Sequence, residues 1–191
     1  IYGSVDVYQR KTKDLLNYIP VPAGSNLTNY ITTNVGDLEN KGFEVSLGAK
    51  IISTKDLVWQ IDYNLSYNEN KITRLTKTDD PTYLGVFVGG IAGGVGNTIQ
   101  IHSVGYPANS FFVYKQVYDQ NGKPIEGLYV DMNHDGVINT SDLYRYKKPA
   151  PDYAMGISSN LRYKNFDFSF SGRVNIGNYV YNNVLSNRGT Y

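Results

Sequence analysis

The chain has no cysteine. That excludes a disulfide framework and thiolate metal sites, and says little about compartment. It has no apolar run of about eighteen residues or more, so no transmembrane helix is expected. A membrane is not thereby excluded, because barrel strands hide their apolar face by alternation. Charge of one sign is not in excess either: 18 Lys and Arg stand against 17 Asp and Glu, for a net +1. A nucleic-acid partner therefore has no electrostatic footprint here. Histidine is scarce. His102 and His134 stand alone, and no Ser-His-Asp spacing is present. The carboxylates are scattered on polar strand faces, where solvation is their default role, so no enzyme is expected. A start methionine and a signal peptide are also lacking. The chain opens at Ile1 and reads as a processed chain or a fragment.

What is present is tyrosine, 18 residues against 7 phenylalanines and 1 tryptophan. Its apolar ring and polar tip suit interfaces of any kind. The 191 residues suffice for one domain or for part of a larger one.

Period-two alternation dominates. Leu57, Trp59, Ile61, Tyr63, Leu65 and Tyr67 alternate with Gln60, Asp62, Asn64, Ser66 and Asn68. Phe43, Val45, Leu47, Ala49 and Ile51 alternate with Glu44, Ser46, Gly48 and Lys50. Near the start, Val5 and Val7 oppose Asp6, Tyr8, Arg10 and Thr12. Tyr153 to Tyr163 alternates in the same way, turns at Lys164-Asn165, and returns through Phe166, Phe168 and Phe170 as a hairpin. Strands are thus expected near 2–16, 38–51, 57–75, 111–118, 153–163 and 166–178. Long loops are expected at 17–37, 76–110 and 119–152. The Gly-rich stretch Gly85 to Asn97 lacks the Gly-Lys-Ser/Thr ending and following helix of a phosphate loop, and reads as a flexible loop.

The stretch Val130 to Asp142, VDMNHDGVINTSD, has calcium-loop spacing. Asp131, Asn133 and Asp135 stand at positions one, three and five, with Gly136 at the sharp turn. Val137 offers its carbonyl at position seven, and Asp142 stands at twelve. A hard cation needs several converging oxygens, and alternate residues of a tight loop supply them. Ile138 is apolar, as expected of a residue that pins such a loop to a core. A plain Asx-rich turn draws on the same residue types. Position twelve is Asp rather than Glu, and the flanks read as strand and loop rather than helix. The expectation is a structural Ca²⁺ staple inside a β protein, not a calcium sensor.

Loop lengths are lopsided. The turns at 52–56 and 164–165 are short, and the other connections are long. Trp59, Tyr163, Phe166 and Phe168 lie beside the short turns, while Tyr67 and Tyr153 lie at the far strand ends. Two aromatic belts flanking an apolar face, with long loops on one side, are the marks of an antiparallel transmembrane β-barrel. The strands that carry these aromatics also have the ~9–11 residues needed to span. Trp59, Ile61, Leu65, Phe168 and Phe170 should then face lipid. Asp62, Asn64, Asn160, Arg162 and Arg173 should face a wet lumen. The alternative is a secreted, calcium-stabilised β-sandwich that binds carbohydrate, whose strands are usually shorter, ~5–6 residues.

From about Val104 to Asn183 the chain resembles the SusC/RagA group of TonB-dependent outer-membrane transporters. The blocks that carry the likeness are VGYPANSFFVYKQV, GLYVDMNHDGVINTSD and PAPDYAMGISSNLRYKNFDFSFSGRVNIGNYVYN, in that order. DVYQRKTKDLLNYIPVPAG and GDLENKGFEVSLGAKII fit the same barrel upstream, so residues 1–191 read as part of it. The resemblance implies an all-β barrel of about 22 strands with an N-terminal plug. It implies a bacterial outer-membrane nutrient importer of glycans or peptides, with a SusD-like lipoprotein as extracellular lid. TonB would engage through an N-terminal part not seen in this sequence.

Overall fold

The computed structural model describes residues 1–20, 27, 30–78, 80–92 and 97–188. The alternating segments form the frame. β1 (Tyr2–Pro20), β2 (Tyr30–Ser53) and β3 (Leu57–Arg74) make an antiparallel meander. The chain then leaves this sheet through β4 (Val86–Gly90), β5 (Thr98–His102), β6 (Ser110–Tyr114), β7 (Gln116–Tyr118), β8 (Pro124–Tyr129) and β9 (Leu143–Arg145). It returns as β10 (Tyr153–Tyr163), which turns tightly into β11 (Phe166–Ile176). A six-residue helix, α1 (Asn183–Arg188), follows. The large sheet runs β1-β2-β3-β10-β11, a smaller one β4-β5-β6-β9, and β7 pairs with β8.

Because β10 pairs with β3, residues 75–152 are one excursion between neighbouring strands. Antiparallel pairing puts that excursion and the β1–β2 connection at the same end of the sheet. The two short turns share the other end, where the Lys164 amide donates to the Asp56 carbonyl at 2.7 Å.

The register carries the alternation across all five strands. Val5, Val45, Leu65, Met155 and Val174 form one row, and Val7, Phe43, Tyr67, Tyr153 and Ile176 the next. On the opposite face, Ser4, Ser46, Asn64, Gly156 and Arg173 share a row. Trp59, Ile61, Leu65, Phe168 and Phe170 therefore lie on one face, and Asp62, Asn64, Asn160, Arg162 and Arg173 on the other, as the alternation predicts. The apolar face is open: Val5, Val7, Leu47, Ile157, Phe168, Phe170 and Val174 are all exposed. A sandwich would bury these residues against a second sheet, so the sandwich expectation is not met among the described residues. One polar group on this face, the Ser159 hydroxyl, accepts from the Trp59 indole N–H at 3.0 Å.

On the polar face, glycine makes room for tyrosine. The Tyr2 ring crosses Gly48 so that its hydroxyl donates to Asp62 at 2.6 Å. The Tyr8 ring crosses Gly42 and reaches Asn68 at 3.1 Å. A Cβ at either glycine would stand 2.2 Å from its nearest neighbour atom, so each tyrosine spans from β1 to β3 only because β2 offers no side chain there.

β1, β2 and β3 have 19, 24 and 18 residues, against the ~9–11 that cross a bilayer. The excess corrects one expectation: residues 17–20 and 30–37, expected as loop, continue the strands. Pairing decides this, since Ile19 faces Ile31 and both Ile19 and Val35 are buried. The proline and glycine punctuation marks only the hairpin tip, most of which lies outside the described residues. The expected loops 76–110 and 119–152 likewise hold β4, β5, β8 and β9, while 111–118 splits into β6 and β7 on different sheets.

A clamp holds the extended part. The β1–β2 register shifts between Thr12 and Leu15, where Asp14 has a positive φ of 57°. The Asp14 amide donates to Asp37, and Arg74 pairs with Asp14 at 3.1 Å and Asp37 at 3.0 Å. Hydrogen bonding from Arg74 holds the Asp37 carboxyl below the usual aspartate range. Buried apolar side chains gather at this end: Ile19, Val35 and Ile72 on the long strands, Leu75 just past β3, and Ile101, Phe111 and Phe112 in the small sheet. The backbone of Ile72 exchanges hydrogen bonds with Gly105 and Tyr106, and the Asn70 side chain accepts from the Ala108 amide. The excursion thus docks against β3 beyond the last β10 pair.

Candidate functional site

The acidic loop hangs between two ladders. Before it, the Val130 amide donates to the Lys115 carbonyl at 2.9 Å; after it, Leu143 pairs with Tyr114. Tyr114 and Lys115 are neighbours, so the two ends of the loop meet. That is why Asp131 and Asp142 return to one place.

Inside, side-chain oxygens collect backbone N–H groups. Asp131 Oδ1 accepts from His134 at 2.7 Å and Asp135 at 3.3 Å, and its Oδ2 accepts from Gly136 at 2.8 Å. Asn133 Oδ1 accepts from the Asp135 amide, and Asp135 Oδ1 from the Val137 amide. Gly136 takes a positive φ of 82°, which the sharp turn at position six requires. Asp142 is fully buried, and its two oxygens accept from the Met132 and Asn139 amides at 2.8 Å each. The Asn139 amide, followed by the other amides and Asp131, holds the Asp142 carboxyl below the usual range.

Asp131, Asn133 and Asp135 are linked by hydrogen bonds, while Asp142 closes the loop as half of a capping box with Asn139. Asn139 occupies position nine, an oxygen-donor position of such loops often reached through water, and motif spacing could have singled it out. Ile138 corrects an expectation: it is 43% exposed and does not pin the loop. The two ladders and buried Asp142 do that. Among the described residues no ion pair engages Asp131, Asp135 or Asp142. Nor do three or more acidic, His or Cys side chains among them form a metal-holding group. A cation here would need Asn133 and the Val137 carbonyl as well as the carboxylates. An all-oxygen donor set of this kind suits a hard ion.

A separate cleft of about 360 Å³ is lined in part by Tyr106, Arg145, Tyr146, Lys148 and Tyr179. The Arg145 guanidinium lies over the Tyr106 ring at 4.4 Å and bonds to buried Ser103 at 2.8 Å. Lys148 pairs with Asp152 at 2.6 Å. Asp152 precedes β10 on the polar face, so the cleft opens on that side of the sheet. Its residues come from distant parts of the chain, and no local motif announces them. Around the acidic loop, Leu128, Met132, Val137 and Ile138 leave an exposed apolar patch.

A family model described as "TonB dependent receptor-like, beta-barrel" matches residues 1–184. The chain belongs to the TonB-dependent receptor β-barrel family. Members of that family are outer-membrane β-barrel proteins. The chain is 52% identical over 188 residues to TonB-dependent receptor SusC of Bacteroides thetaiotaomicron, a match covering 98% of this chain. It is 34% identical over 203 residues to TonB-dependent receptor P3 of Formosa agariphila, again across 98% of the chain. It spans 19% and 20% of the length of these two curated relatives. Solved structures agree in fold. A structure of the RagAB peptide transporter matches with TM-score 0.66 and 22% identity, over 92% of this chain and 19% of that one. The RagAB peptide importer in its open-open state matches with TM-score 0.67 and 26% identity, over 92% and 18%. The chain is a SusC/RagA-type barrel segment, and its relatives are receptors and transporters rather than enzymes.

Proposed function

We propose that this chain forms part of the barrel wall of an outer-membrane TonB-dependent importer, with its apolar face in lipid and its polar face lining the lumen. One observation carries the proposal: 52% identity to SusC over 188 residues, on a sheet whose apolar face lies open. The end of the sheet opposite the short turns, from which the excursion leaves, is then extracellular. Trp59, Tyr163, Phe166 and Phe168 form the periplasmic belt, and Phe43, Tyr67 and Tyr153 the outer one, with ring centroids 5.7 and 5.0 Å apart. TonB supplies energy through another part of the protein. The cargo is an oligosaccharide or a peptide, the latter supported by the 26% identity to a peptide importer.

Residues 111–150 present the docking surface for a SusD-like lipoprotein or for cargo. The exposed apolar patch at Leu128, Met132, Val137 and Ile138 supports this role. The acidic loop takes one structural Ca²⁺ through Asp131, Asn133, Asp135, the Val137 carbonyl and Asp142. The ion would neutralise three carboxylates that lack a cationic partner among the described residues, and fix the shape of the docking surface. The Gly85–Gly96 stretch adapts around the partner; of it, Val86–Gly90 forms β4, and 93–96 lie outside the described residues.

The test uses the full-length transporter. Gly85–Gly96 is deleted, and separately Asp131 and Asp135 are replaced by alanine. Partner co-purification and cargo uptake are measured at equal surface expression. Loss of both is expected in each variant. Normal partner binding and uptake in both would leave these loops only as caps on the barrel mouth.

A further inference from the structure

The cleft at Arg145 is held from the polar face of the large sheet. Asp152 and Gly177 lie one position beyond the Tyr153–Ile176 pair, so their side of the chain is opposite the apolar rows. Gly177 has a positive φ of 85°, and the Asp152 carboxylate takes the space that a Cβ there would need. Packed against the glycine in this way, Asp152 holds the Lys148 ammonium at 2.6 Å. Only 18% of the Lys148 side chain is exposed, so its charge is fixed in the cleft wall rather than loose in water.

Tyrosines supply the rest of the wall. Tyr146 and Tyr179 meet edge to face with ring centroids 5.9 Å apart, and the Lys147 ammonium lies 5.7 and 5.2 Å from these two centroids. Rings attract a cation without supplying a counter-charge. The charges of the cleft do not cancel: Arg145, Lys147 and Lys148 stand against Asp152 alone, for a net +2 in a chain whose total is +1. Neither Arg145 nor Lys147 makes an ion pair among the described residues. The Arg145 Nε is buried and has no hydrogen-bond partner among them either. Buried donors are nearly always matched, so the cleft as it stands is short of an acceptor.

We propose that this cleft is a subsite for a carboxylate carried by the cargo, bound by Lys147 with Lys148 and Arg145 beside it. This rests on the importer reading above and narrows its cargo to acidic oligomers. The cleft stands at the end of the sheet through which cargo would enter. Its volume of about 360 Å³ is at the small end of ligand pockets, which run from about 300 to 1,000 Å³, so it takes one unit of an oligomer rather than a whole chain. The tyrosine rings offer the apolar contact that a sugar or peptide unit needs, and the ammonium groups offer the counter-charge. A neutral unit would leave that charge unmatched.

The experiment uses the full-length transporter in nanodiscs and titrates two pairs of probes by calorimetry. One pair is trigalacturonate and its carboxyl-reduced counterpart; the other is the end-blocked peptides Ala-Glu-Ala and Ala-Gln-Ala. The acidic member of one pair should bind about tenfold more tightly than its neutral counterpart, and which pair does so names the source of the carboxylate. Lys147→Gln should erase that preference and leave neutral binding unchanged. It breaks no ion pair seen here, and heat-modifiable gel migration checks that the barrel is folded. Raising salt from about 50 to 500 mM should weaken the acidic probe alone. Lys123→Gln, in the turn before β8, should change nothing. Failure of every probe to bind, equal binding within both pairs, or a preference that survives Lys147→Gln would overturn the proposal. A label at Val45 that a lipid-soluble quencher cannot reach would overturn the barrel reading itself, a failure distinct from that of the cleft.

Discussion

Ile157 offers the sharpest test of which face meets lipid. Its row contains Gly3, Leu47, Tyr63 and Gly172, and Ile157 is 45% exposed on the open sheet. From the Leu57 row to the Tyr67 row is five two-residue steps, roughly 34 Å along the strands. With strands tilted about 40°, that is roughly 26 Å of height, matching the apolar band of about 25 Å on such barrels. The Ile157 row lies near the middle. Ile157→Arg should therefore cost about 2–4 kcal/mol, the range for arginine at the bilayer midplane. Phe168→Arg, one row in from the short turns, should cost less than Ile157→Arg, because the cost falls toward the interface. Ser158→Arg, one residue away and on the polar face, should cost little, because its side chain enters water. Reversible urea unfolding of the full-length barrel in lipid, followed by tryptophan fluorescence, measures all three. Equal costs for Ile157→Arg and Ser158→Arg would refute the assignment of faces. A depth profile reversed between Ile157 and Phe168 would refute the placement of the band.

Three further outcomes are expected. Asp135→Ala should abolish calcium uptake in calorimetry of the intact protein and speed amide exchange over 128–146 while the long strands stay protected; a loop that is equally ordered without calcium would count against the staple. Gly42→Val should cost about 1–3 kcal/mol by overpacking, since its Cβ would stand 2.2 Å from the Tyr67 carbonyl oxygen, and Tyr8→Phe in the same barrel should cost less because it loses only a hydrogen bond. The folded-state pKa of Asp37 is depressed, so its contribution is present above the ordinary aspartate pKa and fades as pH falls through the lower folded value. Amide exchange over 30–37 should accelerate modestly in acid for this reason, and Arg74→Gln should remove that pH dependence.

The faces of the long strands were legible in the sequence because their physics is local. Side chains alternate with period two whatever the partner strand is, so Trp59, Ile61 and Leu65 had to share a face opposite Asp62 and Asn64. Calcium-loop spacing is local in the same sense: Asp131, Asn133 and Asp135 are near neighbours, and Gly136 supplies the turn between them. What the sequence did not show depends on contacts between distant residues. Residues 17–20 and 30–37 looked like loop because their composition is polar and their flanks carry prolines. They are strand because each pairs with the other and their ends bury Ile19 and Val35. The short strands β4, β5, β8 and β9 are too brief to show a period, and only their ladders define them. Ile138 looked like an anchor by type, but anchoring fell to Asp142 and to the meeting of the loop's ends at Tyr114 and Lys115. The cleft joins Tyr106, Arg145 and Tyr179, and the clamp joins Asp14, Asp37 and Arg74. Neither grouping exists until three separate stretches of chain are set side by side, and strand register, a tertiary property, is what does so.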